Sequence, residues 1–386
     1  MKNFEFYNPT KIYFGQGEVE KIGKLVKDYG TNILLVYGKS SIKKSGLYDR
    51  VVKLLSEENI NIFELSGIDP NPRIDSVREG GEICKTHDID FILAVGGGSV
   101  IDASKGISVA AKYDGDPWDF YSYKATAKSG LPFGTILTLS ATGSEMNKGS
   151  VITNLETKEK NGWSTPITYP KFSILDPSLT FTVGPHQTAC GIVDSLTHIY
   201  EFYFSKEEAF LNDRIVEGIM KTIIHYGPIA MKEPDHYEAR ANLMFSSTLA
   251  LNGISGFAKS FDGFLHRTEH VISAHYDIAH ADGLSILTPH WMNYMLNPKT
   301  LDRFYQFAVK VFDLYPSKDR MKVAKKGIEK VTELYQSLGM PLYFEDVGIK
   351  NPDIDLLASE SVKGEILGNF SKLTKEDVVQ ILKKAE

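Results

Sequence analysis

The sequence predicts two domains, an α/β domain over residues 1–183 and an all-helical domain over residues 184–386. A chain of 386 residues is too long for one ordinary hydrophobic core. In the first half, short apolar runs alternate with amphipathic helical stretches, a pattern typical of a doubly wound, mostly parallel sheet. After Gly184 and Pro185 almost all the apolar periodicity is helical, and for this reason we place the boundary there.

The strands and helices of the first half follow from apolar runs bounded by turn residues. Residues 33–37 form a continuous apolar run that ends at Gly38, as expected of a strand buried on both faces. The further predicted elements are a helix over 47–57, a strand over 61–65, a helix over 74–87, a strand over 91–95, a helix over 100–111 and a strand over 133–139. The polar turn at 154–162 predicts a hairpin.

Two helices of the second half carry candidate functional residues. One is predicted over residues 186–204 and the other over residues 253–272, with a break at Asp277. On the second helix an apolar stripe faces the core, formed by Phe257, Phe261, Phe264, Thr268 and Ile272.

Composition excludes several classes of protein. The net charge is −6 and no basic stripe stands out, so nucleic acid is not an expected partner. No run approaches the ~18–20 apolar residues of a membrane span, and residues 1–15 lack the apolar core of a signal peptide. Cys84 and Cys190 lie far apart with no metal-type spacing. We therefore expect a cytoplasmic protein without a disulfide framework.

Two loops at strand ends suit a dinucleotide. The strand at 91–95 runs into Gly96, Gly97, Gly98 and Ser99, where glycines allow backbone N–H groups to approach phosphate oxygens at the start of a helix. The next strand is followed by a polar loop with Thr138, Ser140 and Thr142. Either loop alone could be a tight turn, but together they predict a Rossmann-like dinucleotide site, to which we add Asn71 in the preceding turn.

The end of the first strand indicates which dinucleotide is bound. Enzymes that select NAD usually place an acid here, whereas this chain has Gly38, Lys39 and Ser40. Small hydroxyl residues and lysines suit the additional phosphate of NADP. A solvated surface turn is the alternative.

A carboxylate and several imidazoles have the spacing of a metal site. Asp194 and His198 lie one helical turn apart, as do His266 and His270, and His280 follows. One carboxylate with two or three imidazoles and no thiolate is typical of a catalytic divalent ion. Each histidine by itself is more often an ordinary hydrogen-bonded residue, and Asp194 by itself could be a surface acid.

These motifs occur together, and in this order, in a known family. The chain resembles the iron-containing alcohol dehydrogenases, in particular their NADP-using butanol dehydrogenase and aldehyde reductase branch. The resemblance extends over essentially the whole chain and is carried by residues 7–15, 96–102, 138–145, 175–177, 191–198, 266–270 and 276–280.

The resemblance implies roles for individual residues. Asp194, His198, His266 and His280 would bind one divalent metal, Fe(II) or Zn(II), and His270 would lie beside substrate and nicotinamide. The implied NADP contacts include Ser40 near the 2′-phosphate and Lys160. The implied activity is hydride transfer between primary alcohols and aldehydes, with a homodimer as the expected assembly. Gly263 and Ala281 depart from the family pattern, where relatives often have a larger residue and glycine, respectively.

Other activities stay open at this point. The superfamily includes glycerol dehydrogenases and dehydroquinate synthases, and the latter need several basic residues for a phosphorylated substrate. Near the metal motif only Lys259 and Arg267 are basic, which argues against such a lyase. A non-catalytic protein that binds metal or nucleotide is the other alternative.

Overall fold

The computed structural model describes residues 1–386 and contains eight strands in two sheets. The strands are β1 Lys11–Phe14, β2 Asn32–Tyr37, β3 Asn61–Leu65, β4 Phe91–Gly96, β5 Phe133–Leu137, β6 Gly149–Asn154, β7 Glu159–Ser164 and β8 Phe172–Leu175. The larger sheet is entirely parallel, in the order β1-β8-β5-β4-β2-β3, and β6 and β7 form the predicted antiparallel hairpin.

Alternate side chains of the central strands enter two apolar layers. In β2, Leu34 and Val36 join one layer, and Ile33, Leu35 and Tyr37 join the other. Side chains of a strand alternate between the two faces of a sheet, so a strand covered on both sides is apolar throughout. This explains the unbroken apolar run that predicted β2. Because the strands are parallel, the ends of β2, β4 and β5 lie at the same edge of the sheet.

Fifteen α-helices accompany the sheets. They are α1 Ile22–Lys27, α2 Ser41–Lys44, α3 Leu47–Glu57, α4 Ile74–Thr86, α5 Gly98–Ala110, α6 Trp118–Tyr121, α7 Pro185–Tyr203, α8 Phe210–Lys232, α9 Tyr237–Leu251, α10 Phe264–Tyr276, α11 His280–Met295, α12 Leu301–Val311, α13 Arg320–Ser337, α14 Ile354–Val362 and α15 Lys375–Leu382. A parallel α/β half followed by a helical half confirms the predicted fold class. No helix is both long enough and apolar enough to cross a membrane.

Contacts divide the chain into two compact units. The helical unit contains Met1–Phe6, Gly184–Glu233 and Leu249–Glu386, and the α/β unit contains Tyr7–Val183 and Pro234–Thr248. Two segments therefore belong to a different unit from the one to which a single boundary after residue 183 would assign them. Residues 1–6 join the helical unit because Phe4 and Phe6 each pack on Phe257 with ring centroids 5.0 Å apart. Residues 234–248 join the α/β unit, where Met244 is buried in its core.

The predicted helix over 253–272 begins too early. The helix in the structure, α10, begins at Phe264, and Ala258 and Gly263 have left-handed φ angles of 56° and 79° that interrupt any helix before it. Phe257 and Phe261 have helical spacing but belong to a loop, in which Phe261 packs on Phe202 at 4.9 Å. Since Gly263 needs its positive φ, a larger residue at this position would be strained.

Candidate metal centre and nucleotide loops

Three helices of the helical unit bring one carboxylate and three imidazoles together. Helix α7 carries Asp194 and His198, α10 carries His266, and His280 is the first residue of α11. Asp194 Oδ1 lies 3.6 Å from His198 Nδ1 and 3.7 Å from the Nε2 atoms of His266 and His280. We refer to these four residues as the Asp194 cluster.

The Asp194 cluster contains polar atoms that nothing in the protein satisfies. Asp194 Oδ1, His198 Nδ1 and His266 Nε2 are buried and have no hydrogen-bond partner. Buried polar atoms without partners are costly and rare. Separations of 3.6–3.7 Å are too long for hydrogen bonds. They match donor atoms that share one tetrahedral ion at ~2.0–2.2 Å, which lie roughly 3.4 Å apart. The residues present therefore fit a divalent metal ion.

Electrostatics in the cluster favours the ligand forms of two of its residues. Burial would raise the pKa of Asp194, but His198, and then His266 and His280, hold that pKa well below its usual range. Burial lowers the pKa of His198 to about 3, despite the opposing charge of Asp194. The carboxylate is therefore ionised and the His198 ring neutral, as metal coordination requires.

His266 differs from His198 because it has two carboxylate neighbours. Burial opposes its protonation, but Glu201 and Asp194 outweigh that effect and raise the pKa of His266 to about 10. Metal binding at Nε2 therefore has to displace a proton from this ring.

Two buried glutamates orient the rings, and sequence reasoning missed both. Glu201 contacts Nδ1 of His266 and also accepts a hydrogen bond from the Leu265 N–H at 2.8 Å. Glu269 contacts Nδ1 of His280 and the hydroxyl of Ser273. A carboxylate on one ring nitrogen fixes the tautomer and turns the other nitrogen toward a metal. Glu201 lies two helical turns after Asp194, a spacing that could have revealed it, whereas the pairing of Glu269 with His280 depends on how α10 and α11 pack.

The remaining histidines of this region fall into two groups. The His270 ring centroid lies 5.6 Å from that of His280 and 6.5 Å from that of His266, so His270 borders the cluster. His275 and His290 have other partners, at 2.8 Å from Glu360 and 3.1 Å from the Leu342 carbonyl.

In the α/β unit, the two predicted loops pack directly on each other. Strand β4 ends at Gly96, Gly97 caps α5 and Gly98 begins it. A Cβ on Gly98 would lie 2.4 Å from Thr142 Oγ1, and the Thr138 N–H donates to the Gly96 carbonyl at 3.1 Å. Gly98 is therefore required by close packing of the two loops, and its backbone lies at the N-terminus of α5.

The structure also brings the turn that contains Asn71 next to this loop. The Ser99 hydroxyl donates to the Pro70 carbonyl, and the Thr153 N–H donates to the Pro72 carbonyl at 2.8 Å. Thr153 lies opposite Lys160 in the hairpin. Ser140 belongs to the loop after β5.

The segment after β2 has room for a side chain at Gly38, and its lysines Lys39 and Lys43 already have partners within the protein. A Cβ on Gly38 would meet its nearest neighbours at 3.7 and 3.9 Å, which is ordinary contact. Lys39 forms an ion pair with Asp69 at 2.8 Å, and Lys43 lies over the rings of Tyr37 and Tyr48. Ser40 is exposed at the start of α2.

These features define a class of protein in which a parallel α/β unit with glycine-rich strand ends accompanies a helical unit with a carboxylate–imidazole cluster. Comparison with known proteins narrows the class. A model of "iron-containing alcohol dehydrogenase" matches residues 9–177, and one of the "Fe-containing alcohol dehydrogenase family, C-terminal" matches residues 188–386.

Individual relatives match over nearly the full chain. A probable NADH-dependent butanol dehydrogenase of Bacillus subtilis is 47% identical over 99% of each chain, and an NADPH-dependent aldehyde reductase of Escherichia coli is 35% identical over 92% of each. The crystal structure of an NADH-dependent butanol dehydrogenase of Thermotoga maritima has a TM-score of 0.95 and 42% identity, covering 100% of this chain and 99% of its own. The chain belongs to the iron-containing alcohol dehydrogenase family.

Proposed function

We propose that the protein is a metal-dependent oxidoreductase that interconverts primary alcohols and aldehydes with NADP(H). The observation that carries the proposal is the buried Asp194 Oδ1, which has no hydrogen-bond partner and faces three imidazole nitrogens at 3.6–3.7 Å. Relatives named as butanol dehydrogenases and aldehyde reductases support the reaction class.

Asp194, His198, His266 and His280 would hold the metal, Fe(II) or Zn(II), since both accept one carboxylate and three imidazoles. A divalent ion bound there supplies a Lewis acid that polarises the oxygen of the alcohol or aldehyde. Glu201 and Glu269 keep the rings of His266 and His280 in the ligand orientation. His270, at the border of the cluster, is our candidate for the group that gives or takes the substrate proton, because imidazole titrates near neutrality.

The nicotinamide would be held by the α/β unit and supplies or accepts the hydride. The proposed contacts are Gly38, Ser40, Asn71, Gly96, Gly97, Gly98, Ser99, Thr138, Ser140, Thr142 and Lys160. NADP is favoured by the absence of an acid at Gly38 and by the small hydroxyl residue Ser40. The Asp69 carboxylate is already paired with Lys39. Named relatives include both NADH- and NADPH-dependent enzymes, so the choice rests on these residues.

The two basic residues near the cluster are engaged by the protein, which disfavours a lyase with a phosphorylated substrate. The Lys259 side chain is fully buried, and its Nζ donates to the Asp213 carboxylate at 2.6 Å. Arg267 donates to the Val362 carbonyl at 3.2 Å. The homodimer and the cytoplasmic location stay predictions.

The first test is oxidation of NADPH and of NADH with butanal, on anaerobic protein reconstituted separately with Fe(II) and with Zn(II). We expect metal-dependent turnover that is faster with NADPH. A preference for NADH would contradict the cofactor assignment alone. A protein that binds NADPH and metal but turns over no alcohol or aldehyde would contradict the activity.

The cofactor assignment has its own variant, Gly38→Asp. The Cβ has room, and the added carboxylate would repel the 2′-phosphate and accept the ribose hydroxyl of NAD. We expect the ratio of kcat/KM for NADPH to that for NADH to fall by about tenfold or more. An unchanged ratio in a folded variant would show that Gly38 does not face the ribose.

A further inference from the structure

A second group of metal-ligating side chains lies in the helical unit outside the Asp194 cluster. His186 and Cys190 are one turn apart on α7, and Asp282 lies in the first turn of α11. One donor atom from each of the three lies within 4.8 Å of the other two. The sequence offered no metal-type spacing between the two cysteines, and the relevant pair is instead Cys190 with His186.

The donor atoms are close to the separations that one small ion requires. His186 Nε2 lies 2.9 Å from Asp282 Oδ1, and Cys190 Sγ lies 3.8 Å from each ring nitrogen of His186. Donor atoms around one tetrahedral zinc lie roughly 3.3–3.7 Å apart. The His186 pairs with Asp282 and Cys190 therefore need shifts of less than about 1 Å, and Cys190 and Asp282, which lie within 4.8 Å of each other, need to approach by at most about 1.5 Å. The His186 side chain is 56% exposed, so its ring can turn to direct a nitrogen at the ion.

Solvent reaches this group from one side. His186 and Asp282 line a surface cavity of about 630 Å³, together with residues 339–343. Three protein ligands with one open side leave a fourth position for water, the arrangement of an exchangeable zinc site. A thiol in the ligand set selects soft or borderline cations over Mg²⁺ and Ca²⁺.

The surroundings of the group are negative. Burial, followed by the carboxylates of Asp282 and Asp194, raises the pKa of the Cys190 thiol above its usual range. A bound cation would offset this negative charge and displace the thiol proton, as metal binding to cysteine does.

We propose that His186, Cys190 and Asp282 form a second cation site, for a thiophilic divalent ion such as Zn²⁺, distinct from the Asp194 cluster. The ion would join the first two turns of α7 to the first turn of α11. The alternative is that the His186–Asp282 hydrogen bond alone joins these helices and no ion binds.

Sulfur distinguishes the two sites experimentally, because the Asp194 cluster contains no thiol. Protein filled with one equivalent of Zn²⁺ is titrated with Co²⁺, and the thiolate-to-cobalt charge-transfer absorption in the near ultraviolet is recorded. We expect this band to saturate at one further equivalent in the wild type. The band should disappear in Cys190→Ser. In His186→Ala the apparent affinity for Co²⁺, measured from the band, should fall at least tenfold. The His186 side chain is exposed enough to be replaced without loss of folding.

Two controls make the result decisive. Cys84 is buried in the α/β unit, so Cys84→Ser should keep the band. Asp194→Ala, titrated with Co²⁺ without Zn²⁺ beforehand, should also show the band. This control separates the second site from the proposed function, because it does not depend on the Asp194 cluster. Absence of the band in the wild type, or its persistence in Cys190→Ser, would overturn the second site.

Discussion

Glu269 is a fully buried acid whose carboxylate contacts the ring nitrogen of His280 that faces away from Asp194. If the Asp194 cluster holds the proposed metal, its affinity would depend on Glu269, a residue that need not touch the metal. In Glu269→Gln, the amide is a weaker acceptor of the same size, so we expect affinity for Zn²⁺ to fall by ~10–100-fold. Competition with a chelator measures this change.

The matched control is Glu360→Gln. Glu360 also contacts a histidine ring nitrogen, Nε2 of His275 at 2.8 Å, but His275 lies outside the Asp194 cluster. We expect its metal affinity to equal that of the wild type. Equal losses in both variants would mean that a general change in stability, and not ring orientation, lowers the affinity.

For individual residues, the sequence indicated candidate site residues where they lie near one another along one helix. Asp194 and His198 were recognisable because both lie on α7, one turn apart. Glu269 was not recognised, because its partner His280 lies on the next helix. Gly98 was assigned to phosphate approach, and the structure adds a packing requirement, since its missing side chain makes room for Thr142.

Gly98 and Gly218 both lie in helices, but they differ in the space available for an added side chain. At Gly98 an added Cβ would lie 2.4 Å from Thr142 Oγ1, so Gly98→Ala must displace the loop after β5. We expect a loss of ~1–3 kcal/mol in unfolding free energy, and weaker NADPH binding. At Gly218, in α8, nothing lies within 4 Å of the added Cβ. Gly218→Ala should gain up to ~1 kcal/mol.

Denaturant unfolding measures both changes. If Gly98→Ala were as stable as the wild type and bound NADPH equally well, the close packing of the two loops would have no energetic role. A destabilised Gly218→Ala would show that α8 is not a regular exposed helix at this position.

The carboxylate of Asp262 lies at the start of α10 and fixes the chain there. It accepts hydrogen bonds from the N–H groups of Asn369 and Phe370 at 2.8 Å and of Phe264 at 3.3 Å. Burial, and then the charge of Glu201, raises the pKa of Asp262 from 3.8 to about 6. The folded state therefore binds this proton more tightly than the unfolded state does.

This proton makes the stability of the folded protein depend on pH. The stability that this proton contributes is complete below about pH 4 and is lost as the pH rises through about 6. We expect the unfolding free energy of the wild type to fall relative to that of Asp262→Asn across this window. Denaturant unfolding of both proteins at several pH values checks it, and a constant difference between them would contradict the prediction.

Elements were predictable where they were long and regular. Strands β2, β3 and β4 and helix α3 lie where the apolar pattern placed them, but the four-residue strands β1 and β8 were missed because such short runs carry little periodicity. Phe257 and Phe261 produced the opposite error. Their spacing of four imitates a helix, while their packing on Phe6 and Phe202 belongs to a loop.

All four residues of the Asp194 cluster lie within the helical unit. An ion held by the Asp194 cluster would join α7, α10 and α11 and would stabilise the state that binds it, by ~2.7 kcal/mol at a hundredfold excess over Kd. On metal removal we expect faster amide hydrogen exchange in these three helices and no change in the strands of the parallel sheet. In Asp194→Ala, exchange in α10, which carries no residue of the proposed His186–Cys190–Asp282 site, should not respond to metal. Equal acceleration in the sheet would contradict a stabilisation confined to the helical unit.

Residues 234–248 belong to the α/β unit, although the 50 residues before them, Gly184–Glu233, belong to the helical unit. Met244 fills part of the α/β core, and Thr248 bonds the buried carboxylate of Glu145. On the ribosome, therefore, the first unit cannot complete its core when residue 183 emerges. The α/β unit can complete its core only after residue 248 has left the exit tunnel. By then α7 and α8 are already outside the ribosome, but α10 and α11 have not yet been made. The two units therefore complete their folding in overlapping periods of synthesis.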